Sequence, residues 1–291
     1  MTKRRSNAAS VSEMLDGNPD IDQNPRLARQ LKREIKRNLR ANKRDVNSGA
    51  NVYALDKGSP QQRKVPKPEP FSFQIPYTDA LMNPDIPAVV CTGIWGSGKT
   101  KMAVHVAAYA YDNGMYDKII IARPSKAGEN NIGFEPGSKN EKLMGWNTPV
   151  LEEMYQLFGR VAVEKKINSG EIEILNLDQV KGRTFINTFV IIDEVEDLNF
   201  PDFKCLIARP GEGSKIVLTG DHKQVDRKIK TVSTGKFSGL SGLQTLEAVL
   251  EARPSLRQYI HVFKFTDWET ECVRSGLAKE WGISLTELGL L

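Results

Sequence analysis

An α/β fold, with a mainly parallel sheet covered by helices on both faces, is what this chain of 291 residues predicts. Three observations carry that expectation. From about residue 71 onward, short apolar runs alternate with stretches of helical composition, the pattern of repeated strand–helix units. One apolar run opens into a glycine-rich turn and passes directly into a strong helix. Another stops on two adjacent acids, the way a buried strand ends when its tip carries polar chemistry. Hydrophobic residues make up 40% of the chain, enough to cover both faces of such a sheet.

The region before residue 71 reads differently. Residues 1–23 are rich in Asn, Asp and Ser and too polar to build a core. Asn24-Pro25 then has the cap-and-proline form of a helix start. Leu27, Leu31, Ile35 and Leu39 recur every four residues, while Arg26, Arg29, Lys32, Arg33, Lys36, Arg37, Arg40, Lys43 and Arg44 fill the other faces. A basic amphipathic helix over 25–44 suits RNA, DNA or an acidic partner, and equally suits a solvated helix docked on its own domain. Pro60 to Pro70 reads as a stiff linker. The expected organisation is therefore a basic extension over 1–65, largely disordered or helical, and a folded domain over 71–291. Charge follows the same division: residues 1–65 hold 15 Lys and Arg against 7 Asp and Glu, and the remainder holds 26 against 29. The basic character belongs to the extension.

Within the body, strands are expected at 87–92, 118–122, 171–175, 188–192, 215–219 and 260–265, and helices at 99–113, 149–159, 202–208 and 242–251. The first strand leads into Gly93-Ile94-Trp95-Gly96-Ser97-Gly98-Lys99-Thr100, which fits G-x-x-x-x-G-K-[ST]. The glycines let main-chain amides wrap a phosphate as an anion nest. Lys99 brings a cation to the terminal phosphates, the Thr100 hydroxyl is placed to ligate Mg²⁺, and the helix dipole adds to anion binding. This pattern points to ATP or GTP.

Phe189 to Glu194 is the strand that ends in acids. Downstream of a phosphate loop, Asp193 is the expected second magnesium contact and Glu194 the expected base for an attacking water. Ser214 to Asp221 is a third strand of this kind, followed by Gln224. Thr219, Asp221 and Gln224 then face the terminal phosphate, unless Gly220-Asp221 is only a turn leaving a core strand.

Composition excludes several classes. There is no apolar run of the length a membrane span needs, and the basic start has no apolar segment after it to make a secretory signal. Cys91, Cys205 and Cys272 lie far apart, as do His105, His222 and His261, so neither a disulfide framework nor a structural metal is expected. A cytoplasmic location follows as the expectation.

Several further motifs occur in order: Gln74 with Asn83-Pro-Asp-Ile-Pro87; Ile121-Ala-Arg-Pro124 with Ala127-Gly-Glu129; Ile132 to Gly137 with Glu141-Lys-Leu143; Gly182-Arg-Thr184; Gly211 to Asp221 with Gln224 and Asp226; Ser241-Gly-Leu243; and Val273-Arg-Ser275. Taken together with the phosphate loop and Asp193-Glu194, they resemble the PhoH-like ATPases, whose core is related to superfamily 1 helicases. The resemblance runs over roughly residues 71–276 and implies a single RecA-like P-loop NTPase core. It further implies ATP hydrolysis with Mg²⁺ centred on Lys99, Thr100, Asp193 and Glu194, with Gln74 reading adenine and Gln224 sensing the γ-phosphate. Two departures stand out. Val195-Glu196 follows the acids where the family usually has Ala-Gln, and Ile94-Trp95 stands where smaller residues are common.

The resemblance also implies a closed ring, a homo-hexamer, in which a neighbouring copy donates an arginine to the transition state. Arg274 is the candidate for that role, with Arg183 behind it. The long segment 123–143 fits a pore loop touching single-stranded nucleic acid through Arg123, Lys126, Phe134 and Lys139, and fits a subunit interface as well. Two readings of function therefore stand: an RNA-linked, helicase-like ATPase, or a nucleotide-dependent interaction ring with little turnover. The resemblance also implies a third reading, a ribonuclease-associated activity, although Asp193, Glu194, Glu196 and Asp197 are too local to form a two-metal site unaided.

Overall fold

The computed structural model describes residues 64–124, 147–221 and 240–291. The expected helix over 25–44, most of the 123–143 segment, and Gln224 lie outside those residues.

Six strands form one parallel sheet: β1 (Ala88–Gly93), β2 (Lys118–Arg123), β3 (Ile172–Asn176), β4 (Thr188–Ile192), β5 (Lys215–Gly220) and β6 (Ile260–Phe265). Their order across the sheet is β3-β2-β4-β5-β1-β6. All five pairings are parallel, with Val90 opposite Leu218 on one side of β1 and opposite Val262 on the other. This is the expected RecA-like α/β architecture, with β5 inserted between the strand that leads into the phosphate loop and the strand that ends in acids.

Both faces are covered. Val89, Cys91, Ile119, Ile121, Phe189, Ile191 and Val217 point to one core, and Ala88, Val90, Ile120, Ala122, Val190, Ile192, Ile216 and Leu218 to the other. Alternate residues of each strand thus feed different cores, which is why these strands read as unbroken apolar runs. On the first face lie α1 (Ile75–Met82), α2 (Lys99–Asp112) and α3 (Thr148–Phe158), joined by α4 (Arg160–Asn168). The second face is packed by α5 (Leu177–Lys181), α6 (Phe200–Ile207) and α7 (Gly242–Ala252). After β6 come α8 (Trp268–Glu271) and α9 (Gly276–Glu287).

The six expected strands and four expected helices are present within one or two residues of their predicted ends. Five helices were not anticipated: α1, α4, α5, α8 and α9. α4 buries only Val163 and Lys166, so it carries almost no apolar stripe to read. α5 is set by a reciprocal cap between Asn176 and Gln179 and is too short for periodicity.

One boundary is corrected. The folded body begins before Phe71, because Val65 is 2% exposed and its N–H donates to Asp112 Oδ2 at 3.0 Å. The end of the proline-rich stretch is strapped along α2, where Pro66 O also meets His105 Nε2 at 3.1 Å. No helix among the described residues is long and apolar enough to cross a membrane.

Candidate functional site

The loop between β1 and α2 is held from several directions. Gly93 has φ +126°, and a Cβ there would lie 1.8 Å from the Phe265 carbonyl oxygen, so only glycine lets β1 turn so close to the end of β6. Gly98, at φ +76°, leaves room for Gln74 beneath it. Gln74 is 3% exposed; its Nε2 donates to Ser97 O at 2.8 Å and its Oε1 accepts from Phe71 N–H at 3.0 Å. The residue expected to read adenine thus ties the loop, through Nε2, to the segment before α1, through Oε1. The Ser97 hydroxyl closes the turn onto Ile94 O at 2.8 Å.

Lys99 opens α2 and is almost fully buried. Its ammonium donates to Gly93 O at 2.8 Å, Ile94 O at 2.7 Å and Ser97 Oγ at 3.4 Å. Burial lowers its pKa, opposed by Cys91, Asp221, Asp193 and Glu196. A cation is therefore poised inside the loop at the N-terminus of a 14-residue helix, where main-chain amides and the helix dipole favour an anion.

Asp193 follows β4 directly, and its N–H continues the ladder to Ala122 O at 3.1 Å. Its Oδ1 accepts from Thr100 Oγ1 at 2.8 Å and from Thr219 Oγ1 at 2.7 Å. One carboxylate oxygen and two hydroxyls, drawn from α2, β4 and β5, thus meet at one point beside Lys99. Magnesium takes oxygen ligands and is held by one or two carboxylates together with substrate phosphates, so this donor set fits it. Thr219 was anticipated as a residue facing the phosphate, and the structure brings it onto Asp193 itself.

Glu194 is next along the chain and adopts a left-handed backbone, φ 58° and ψ 47°. Its carboxylate is paired with the Arg123 guanidinium at the end of β2. Glu196, the acid in place of the usual Gln, accepts from Asp221 N–H through Oε2 at 3.0 Å. A carboxylate serves as acceptor there, so the departure leaves this main-chain contact intact.

The two candidate arginines are far from equivalent. Val273 N–H donates to Gly96 O at 2.9 Å, and a Cβ on Gly96 would lie 2.9 Å from Arg274 Cβ. Arg274 is exposed and sits beside its own phosphate loop. Arg183 forks onto Glu173 at 2.5 and 3.4 Å, in the connection that leads into the amino end of β4. Ile94 and Trp95 also acquire a purpose that the sequence did not reveal. Ile94 packs with Trp268 and Cys272, the Trp95 ring meets Trp268 edge-on at 4.5 Å, and Trp95 Nε1 donates to Ala278 O at 3.1 Å. The loop's unusual side chains anchor α8 and α9.

Comparison with known proteins agrees with this geometry. Residues 71–282 match the family described as PhoH-like protein. Protein PhoH2 of Bacillus subtilis (strain 168) is 37% identical over 153 residues, 51% of this chain and 35% of that protein. A PhoH-like protein of the same organism is 32% identical over 176 residues, 59% of this chain and 54% of its own length. A PhoH-like protein of Mycobacterium tuberculosis (strain ATCC 25618 / H37Rv) is 32% identical over 179 residues, 62% of this chain and 50% of its length. The chain thus spans a third to a half of the curated relatives it matches. Among solved structures, Pif1 helicase from Candida albicans matches with a TM-score of 0.31 at 12% identity, over 70% of this chain and 42% of that one, a likeness that carries no argument about activity.

Proposed function

The chain belongs to the PhoH-like family and has a nucleoside-triphosphatase phosphate-loop fold; from that premise we propose that it binds ATP with Mg²⁺ and hydrolyses it. The observation that carries this reading is the meeting of Thr100 and Thr219 hydroxyls on Asp193 Oδ1, next to the buried Lys99 ammonium. Lys99 neutralises the terminal phosphates, exchanging bonds to loop carbonyls for bonds to phosphate oxygens. Thr100 and Asp193 hold the metal, which when bound spreads the charge on the transferred phosphoryl group. Glu194 orients a water in line with the γ-phosphate and takes its proton, Thr219 fixes Asp193, and Gln224 senses the γ-phosphate. Adenine reading by Gln74 requires that its amide bond to Ser97 or to Phe71 be exchanged for the base.

Turnover is coupled to single-stranded nucleic acid, RNA in preference to DNA, in a helicase-like manner. The basic 26–44 stretch and the 123–143 segment supply phosphate contacts. The active form is a cytoplasmic homo-hexamer, with Arg274 completing the γ-phosphate environment. These parts rest on the family resemblance and on charge.

The test is phosphate release with and without single-stranded RNA or DNA, on wild type, Lys99→Ala and a chain shortened to start at Lys64, alongside calorimetry with Mg-ATP and the mass of the particle by light scattering. Absence of binding heat in the wild type overturns the nucleotide reading. Turnover indifferent to every nucleic acid overturns the RNA reading. A monomer hydrolysing at full rate overturns the ring.

A further inference from the structure

Glu194 and Asp193 are neighbours in sequence, yet their carboxylates lean opposite ways. Asp193 turns toward the Thr219 and Thr100 hydroxyls, on the β5 and β1 side of β4, where the phosphate loop lies. Glu194 turns toward Arg123, on the β2 side. The register makes this pairing: Ala122 is opposite Ile192, so Arg123 and the acid pair leave adjacent strands together. The left-handed backbone of Glu194, rare for a residue with a side chain, is what sends consecutive acids in different directions.

We propose that Arg123 is a positioning residue for Glu194, holding the carboxylate away from the γ-phosphate until a phosphate oxyanion takes the guanidinium. This rests on the reading of Glu194 as the base of ATP hydrolysis. Three features support exchange of partners. The pair is partly exposed, with side-chain exposures of 22% for Arg123 and 34% for Glu194, so it is weak enough to yield to a better anion. Partial burial lowers the arginine's pKa while Asp193 and Glu196 raise it, so the guanidinium faces more than one acid at this corner. A planar guanidinium also binds phosphate in the forked manner in which it binds carboxylate, and phosphate carries the greater charge. The releasing oxyanion is a backbone phosphate of a single-stranded polynucleotide, since release by the γ-phosphate itself would leave no held state once nucleotide is bound. Release of Glu194 then links arrival of the polynucleotide to activation of water.

The experiment compares ATP turnover by full-length wild type, Arg123→Ala, Arg123→Lys and Glu194→Gln, with nucleotide alone and with added single-stranded RNA, while calorimetry follows Mg-ATP binding. Arg123→Ala is expected to raise kcat in nucleotide alone about three- to tenfold with KM little changed, and Arg123→Lys to fall between. RNA is expected to stimulate the wild type and to leave Arg123→Ala unchanged; stimulation of both alike, or of neither, overturns the proposal. A kcat that falls or stays level in Arg123→Ala, in a protein whose melting and Mg-ATP heat match the wild type, overturns the proposal. If the alanine variant does not fold, Arg123→Lys decides it by the same comparison. Retained hydrolysis in Glu194→Gln instead removes the underlying assignment of the base, and absence of Mg-ATP heat in the wild type removes the nucleotide site itself.

Discussion

The phosphate loop and the acidic corner share the carboxyl edge of one sheet, but they are held by different kinds of contact. Around the loop the contacts are short-range and mostly buried: Lys99 on three oxygens, Gln74 on Ser97, Val273 on Gly96, and the end of β6 packed against Gly93. At the corner Asp193 is fixed just as firmly, whereas Glu194 is held by an ion pair that solvent can reach. Buried directional bonds are lost only at the full desolvation penalty of the groups they leave behind, while an exposed ion pair is worth little and exchanges readily. The loop proposed to grip phosphate is preorganised, whereas the proposed base is held by an exposed ion pair.

Four measurements break or sharpen this contrast, from the largest effect to the smallest. Gly93→Ala drives a methyl into the Phe265 backbone at a φ that favours glycine, and should cost about 4 kcal/mol or more, enough to deny a folded product in denaturant titration. A normal midpoint would show that β6 does not brace the loop. Glu194→Gln should lower ATP turnover by roughly 10²–10⁴-fold with Mg-ATP binding heat unchanged; a parallel loss of binding would make the corner part of the grip. Trp95→Ala removes the edge-on contact with Trp268 and the bond to Ala278, and should lower stability by about 2–3 kcal/mol, with α9 the first segment to gain amide exchange.

The fourth lies at the amino end of β5, the opposite edge of the sheet from the loop. Lys215 is 1% exposed and donates to Ala80 O and Asn83 O at 2.9 Å and to Ile86 O, tying β5 to α1 and the segment that follows it. Burial pushes its pKa down to about 7, with Asp85 opposing. The unfolded chain then binds more protons than the folded one between pH 7 and the ordinary lysine range, so Lys215 lets stability rise with pH across that window, by roughly 1 kcal/mol per pH unit at the steepest. Lys215→Met should flatten that slope, seen as a wild-type-minus-variant difference in unfolding free energy between pH 7 and 10. An unchanged slope would mean that the three carbonyls hold the ammonium charged.

Much of the sheet was legible because strands buried on both faces are unbroken apolar runs, and no other local pattern resembles them at this length. Lys99, Thr100 and Asp193 were legible for a similar reason, since spacing along the chain dictates where a loop after one strand and an acid after another must lie. Arg123 was singled out as a contact for nucleic acid, not as the partner of Glu194. Nothing in its neighbourhood in sequence indicates that β2 lies beside β4. Trp95 looked like a chemically idle substitution, because its partners Trp268 and Ala278 lie 173 and 183 residues away.

The chain's own letters were therefore sufficient for the class of fold and for the position of the phosphate-loop motif, because each depends on local periodicity or fixed spacing. Which side chains meet across the strands was decided by tertiary structure alone. The strand order β3-β2-β4-β5-β1-β6 places Thr219 on Asp193 and Arg123 on Glu194, and that order comes from how two apolar faces are covered at once, a condition no single segment of the sequence contains.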